Sequence, residues 1–184
     1  PRSIGIPGRN RRNPQQATQQ SRNPFSIPVS TSYTFPRTGT AHAASFGLIP
    51  DALFGLEYNA NGQKLYRFFA LEAERSNPVS SNNLRQTSWL KKVLAYRQIA
   101  VAKTYQSHLG LPNLMVVVVT PGAAKIETMK QLVMKVTADR GSTQFLFKAI
   151  PVIGSSFKAP SPVSELFTDP WSRAGYADFA INEA

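Results

Sequence analysis

Three carboxylates at two places in this 184-residue chain have the types and spacing for chemistry on a hard cation. Asp51 follows Pro50 at the start of one apolar run, and Glu72 and Glu74 close the next, in Leu71-Glu72-Ala73-Glu74-Arg75. The two runs read as one β-hairpin, so Asp51 and Glu72 are expected to meet at its open end. Oxygen donors of this kind suit magnesium, manganese or calcium. Residues two apart in a strand share a face, so Glu72 and Glu74 are expected on one side and Arg75 on the other. Glu72 follows an apolar run that reads as buried on both faces, where a carboxylate is unfavourable without a metal or a cationic partner. The competing reading of the same residues is a solvated strand end whose surface ion pairs contribute under about 1 kcal/mol.

The hairpin is read from its turn and its apolar runs. Asn61-Gly62 can take positive φ, the requirement of a tight turn. Ala52–Tyr58 precedes it, and the aromatic-rich Leu65–Glu72 follows. After a loop over 76–83, a long helix is predicted from about Asn83 to His108, stopped by Gly110 and Pro112. Leu90, Val93, Leu94, Val101 and Tyr105 form its buried stripe; Arg85, Ser88, Lys92, Tyr96, Ile99 and Lys103 form another. Leu114–Val119 reads as a buried strand. Ala123–Ala138 reads as an amphipathic helix with Ile126, Met129, Leu132, Val133 and Val136 inward, and Thr143–Ile150 as a further strand. The fold class is therefore α/β, in the order hairpin, helix, strand, helix, strand: a mixed central sheet with flanking helices. The tail beyond Ile153 is rich in Pro and Ser, with Leu166, Phe167, Trp171 and Phe179 as docking points. Trp89 and Trp171 read as packing anchors.

Charge divides the chain. The net charge is +11, and residues 1–50 carry Arg2, Arg9, Arg11, Arg12, Arg22 and Arg37 without one acid. The remainder holds 15 basic and 10 acidic residues. This describes a polyanion-binding arm on a moderately basic domain. The expected division is an extended basic arm over 1–44, disordered when alone, a core domain over 45–153 and a docking tail over 154–184. Phe25–Phe35 alternates weakly and reads as an added strand or an extended strap.

Several classes are excluded. There is no cysteine, and His42 and His108 have no paired spacing, so neither a disulfide framework nor a zinc centre is expected. No P-loop, dinucleotide fingerprint or nucleophile elbow occurs, so no nucleotide cofactor is expected. No apolar stretch approaches a membrane span, and the basic N-terminus lacks an apolar signal core. The chain opens at Pro1, as a processed chain or a piece of a longer one would.

Pro50-Asp51, then an acid-x-acid-basic strand end, a helix and a strand resemble the PD-(D/E)xK nuclease superfamily. The resemblance implies that Asp51 and Glu72 hold magnesium or manganese, that the metal polarises a phosphate and activates water, and that a lysine orients this water. The motif's lysine position is occupied by Glu74. Two consequences are open: Lys92 supplies the ammonium from the following helix, or Glu74 points away and the site does not cleave. More narrowly, Pro50-Asp51-Ala52, the Gly62 turn, Phe68–Glu72, Glu74-Arg75 and Lys92–Tyr96 resemble the bacterial replication-relaxation family over about residues 46–150. Its members are associated with plasmid replication and mobilisation and usually carry an upstream winged-helix region, which is not read in this sequence.

The resemblance implies a bacterial cytoplasmic protein that binds nucleic acid, DNA ahead of RNA. Its metal-dependent phosphodiesterase site would use Asp51, Glu72, Glu74 and Lys92, and Arg9, Arg11, Arg12, Arg22, Arg75, Arg85 and Lys103 would contact the nucleic acid. The alternative is a catalytically inactive module of the same fold that joins a nucleic-acid or protein assembly through its arm. A third reading is a structural protein that docks through its aromatic tail.

Overall fold

The computed structural model describes residues 2–4, 23–151, 153 and 163–183. The chain forms a mixed α/β fold on a six-stranded sheet, with a separate two-stranded sheet beside it. The strands are β1 (Arg2–Ile4), β2 (Ile27–Thr34), β3 (Ala41–Leu48), β4 (Ala52–Ala60), β5 (Gln63–Ala73), β6 (Met115–Thr120), β7 (Ser142–Ala149) and β8 (Ser172–Ala174). The helices are α1 (Trp89–Val101), α2 (Thr104–Leu109), α3 (Ala123–Val136) and the single-turn α4 (Glu165–Thr168). The main sheet runs β1-β4-β5-β6-β7-β8. Its centre, β5-β6-β7, is parallel, and the outer pairings are antiparallel.

The β4–β5 hairpin follows its turn. Asn61 and Gly62 both have positive φ, 50° and 76°, and Ala60 pairs with Gln63 across them. This register places Ala52 opposite Leu71, so Asp51 stands next to the end of β5.

Two cores cover the two sheet faces. On one, Phe68, Ala70, Val116, Val118, Phe145 and Phe147 pack against Trp89, Val93, Tyr96 and Ile99 of α1 and against Ile126, Met129 and Val133 of α3. On the other, Leu56, Tyr58, Phe69, Val117, Val119 and Leu146 pack against Trp171 and Ile181 of the C-terminal segment. The long helices therefore flank one face, and the tail, with the single-turn α4, covers the other. Tyr58 donates to the Ile181 carbonyl at 2.5 Å and Arg67 to that of Glu183 at 2.6 Å, which hold the tail down.

The predicted helix over 83–108 is two helices with a later start. Asn83 accepts from the Arg85 and Gln86 amides, a local turn that competes with helix. Ser88 then caps α1 by accepting from the Lys91 amide. Lys103, at φ 51°, breaks the helix before α2. Of the predicted stripe, Val101 is 81% exposed because it lies on the last turn before that break. Conversely Trp89, Ala95, Tyr96 and Ile99 are buried. The cause is β2–β3, which packs its Ile27, Val29 and Leu48 into the same core as α1, so the helix is covered on two sides.

The folded core thus includes residues 27–48, which the sequence assigns to the arm through residue 44. Within the tail, Trp171 is buried and Leu166 and Phe179 pack beside it, whereas Phe167 is 44% exposed. No helix among the described residues is long and apolar enough to cross a membrane.

Candidate functional site

At the end of β5, Asp51 binds the backbone of Ala73, and a lysine from α1 joins Glu72 and Glu74. Asp51 lies outside the strand ladder and is exposed. Its amide donates to the Leu71 carbonyl at 3.0 Å, and its Oδ2 accepts from the Ala73 amide at 2.7 Å. Both contacts follow from the hairpin register. Ala73 is the residue between Glu72 and Glu74, and pleating turns those two glutamates together toward α1. Both are fully buried.

From α1, residues four apart reach the same carboxylate. Lys92 Nζ lies 2.5 Å from Glu72 Oε2, and Tyr96 donates its hydroxyl to Glu72 Oε1 at 2.5 Å. The same Nζ is 2.5 Å from Glu74 Oε1. Lys92 thus contacts both glutamates, and its ion pair with Glu74 is the closest polar contact of that carboxylate. Of the two readings of position 74, the structure shows Glu74 facing the centre and Lys92 entering it.

The electrostatics follow from burial. Desolvation pushes the Glu72 carboxyl above its ordinary range, although the Lys92 charge and the hydrogen bonds from Lys92 and Tyr96 pull it down. Burial lowers the Lys92 ammonium, but Glu72 and Glu74 outweigh this and its pKa is raised. Tyr96 is held well above 10 by burial and by the negative charge of Glu72 beside it. The charge of Asp51 acts on both Glu72 and Tyr96. With three acids against one ammonium, the strand end carries an excess of negative charge.

The donor set fits a hard cation only in part. All its donors are oxygens, Asp51 is accessible, and among the described residues the buried Glu74 oxygens have no hydrogen-bond partner beyond the Lys92 ion pair. Glu72, the second ligand implied by the motif, has both oxygens engaged by Lys92 and Tyr96. Among the described residues, no three His, Cys, Asp or Glu side chains form a ready metal cage. A cation here would rest on Asp51 and a glutamate, completed by backbone carbonyl and water. Hard cations take such partial protein shells.

The other predicted residues are scattered. Arg75 lies just past β5 and is exposed, as is Arg85 in the loop before α1. Lys103 is exposed at the α1–α2 break, beyond the far end of α1 from Ser88. Arg9, Arg11, Arg12 and Arg22 lie outside the described residues. Tyr96 had only its place on the Lys92 stripe as a signal; its partner is 24 residues upstream. Ser76 and Asn77 gave none, and their position beside the centre depends on Lys125, which donates to the carbonyls of Arg75 and Asn77 at 3.1 and 3.0 Å.

In comparisons with known proteins, no family model, no curated protein and no solved structure matches this chain.

Proposed function

We propose that this chain is a nucleic-acid-binding protein whose acidic strand end is a magnesium- or manganese-dependent phosphodiesterase centre. One observation carries the reading: Asp51, Glu72 and Glu74 gather at the end of β5, and a lysine from the next helix enters between the two glutamates. Asp51 and one glutamate of the Glu72–Glu74 pair would hold the metal. When bound, the metal would neutralise a phosphate and activate a water. Lys92 keeps an ammonium beside that position and takes the role of the lysine absent at position 74. Tyr96 fixes the orientation of Glu72. The basic balance of the chain supplies attraction for the polyanion, with the arm arginines, Arg75 and Arg85 as phosphate contacts. The assignment to DNA, and to plasmid replication or mobilisation in a bacterial cytoplasm, rests on the motif resemblance.

A second reading, binding without cleavage, is favoured by one observation: both oxygens of the buried Glu72 already accept hydrogen bonds from Lys92 and Tyr96. Supercoiled plasmid incubated with magnesium or manganese separates the two. Under the first reading the wild-type protein nicks the plasmid, and Asp51→Ala and Glu74→Gln each lower the rate at least about a hundredfold, an effect the size of losing one transition-state charge stabiliser. Absence of nicking by a folded wild-type protein that binds the plasmid overturns it in favour of the second.

A further inference from the structure

The end of the sheet that bears the acids also bears a cleft of about 750 Å³, framed by the chain as it leaves the parallel strands β5, β6 and β7. Ala73, the residue whose amide Asp51 accepts, forms part of the lining. Arg75, Ser76 and Asn77 give the β5 side hydrogen-bond donors and a positive charge, and Pro121, Pro151 and Ile153 give the β6 and β7 side an apolar surface. The Arg75 guanidinium is exposed and makes no ion pair among the described residues. Its loop is fixed from behind, because Lys125 holds the carbonyls on either side of Ser76.

We infer that this cleft seats a single unpaired nucleotide of a nucleic-acid strand, its phosphate on Arg75, Ser76 and Asn77 and its base against Pro121, Pro151 and Ile153. The inference rests on the proposed function for its ligand class and adds the strandedness of the substrate. The cleft is open to solvent, and its volume falls in the range of sites for one small molecule, about 300–1,000 Å³. A duplex, whose major groove alone is about 12 Å wide, can lie across the mouth but cannot enter. The lining joins a guanidinium and polar side chains to the apolar Pro121, Pro151 and Ile153, the two kinds of surface that a nucleotide presents as phosphate and base.

The test is fluorescence anisotropy on the full chain in EDTA, so that no cleavage intervenes. The probes are a fluorescein-labelled ten-nucleotide oligothymidylate and a blunt ten-base-pair duplex. Arg75→Gln should weaken binding of the oligothymidylate about tenfold and reduce its salt slope by about 0.7, one phosphate contact on a single strand, with the duplex unchanged. Ile153→Glu, which puts a carboxylate against the base, should weaken the same probe with the duplex again unchanged. Equal losses on both probes, no loss on either, or no binding of the oligothymidylate by the wild-type protein would overturn the inference. The binding assay in EDTA needs neither metal nor cleavage. A plasmid that is never nicked would therefore remove the phosphodiesterase reading without touching this one, and unchanged binding by Arg75→Gln would do the reverse.

Discussion

Two lysines lie buried on opposite faces of the same sheet, and they are buried in opposite ways. Lys92, 15% exposed at its side chain, comes from α1 and sits between two carboxylates. Lys148, 8% exposed, comes from β7 on the other face. It donates to the backbone carbonyls of Glu165 and Asp169, and its ammonium lies 4.9 Å from the centre of the Trp171 ring. The ammonium of Lys92 is strengthened by its neighbours. That of Lys148 is weakened, because burial outweighs the attraction of the Asp169 and Glu165 charges. Dipoles and a ring face satisfy the donors of Lys148 without balancing its charge. The difference separates a charge arrangement from a fastening. Lys148 pins the C-terminal segment onto the sheet, and nothing around it needs a further ion. Lys92 is part of a group with more acids than bases, the condition under which a second cation is welcome.

The most severe way to break this comparison is Lys92→Met, which leaves two buried carboxylates facing each other. It should lower the urea-denaturation free energy by about 3–5 kcal/mol, the range for removing one partner of a buried pair. Adding Glu72→Gln and Glu74→Gln should restore most of that loss. A loss below about 1 kcal/mol would mean that the centre is solvated like a surface pair. Lys148→Met should have a smaller effect, about 1–3 kcal/mol, because it strands two carbonyls and no charge. Equal losses from the two substitutions would erase the distinction.

Alkaline titration sharpens it further, with the smallest effect. The folded pKa of Lys148 is below 10.5, so in the window just under that value the unfolded chain binds more protons and stability rises with pH. The folded pKa of Lys92 is above 10.5, so its contribution is whole below 10.5 and is lost as pH climbs through the folded value. Tyr96 and Tyr58, both raised above 10, add to the alkaline fall. Difference curves against each methionine variant isolate the lysines: the Lys148 difference should act below 10.5 and the Lys92 difference above it. The same sign in both would show that the two environments are alike.

What could be read from the sequence was what depends on near neighbours. The Asn61-Gly62 turn set the register of β4 on β5, and that register set Asp51 beside Ala73. Pleating set Glu72 and Glu74 together, and the four-residue spacing of Lys92 and Tyr96 set both over Glu72. What escaped depended on distant partners. The outer face of β2–β3 is Pro28, Ser30, Ser32 and Thr34 beside Ala41, Ala43, Ser45 and Gly47, so its two strands carry little apolar signal. Their coverage of α1 is why an apparently amphipathic helix is buried nearly all round, and why Tyr96 could pass for a polar-stripe residue. The cleft needs three strand ends far apart in sequence, and no local pattern announces it.

The double membership of β5 has a consequence for assembly in time. Its antiparallel pairing with β4 closes across a two-residue turn, an event of about 1–10 μs in isolated hairpins. Its parallel pairing with β6 requires the intervening crossover, with α1 and α2, to close first. The hairpin alone brings Asp51 to Ala73 and leaves Glu72 and Glu74 in water, where they are harmless. Lys92 arrives only when the crossover packs, and packing is also what desolvates the acids. The chain therefore cannot bury its carboxylates ahead of the cation that tolerates them, and the centre is completed only by a molecule that has finished folding.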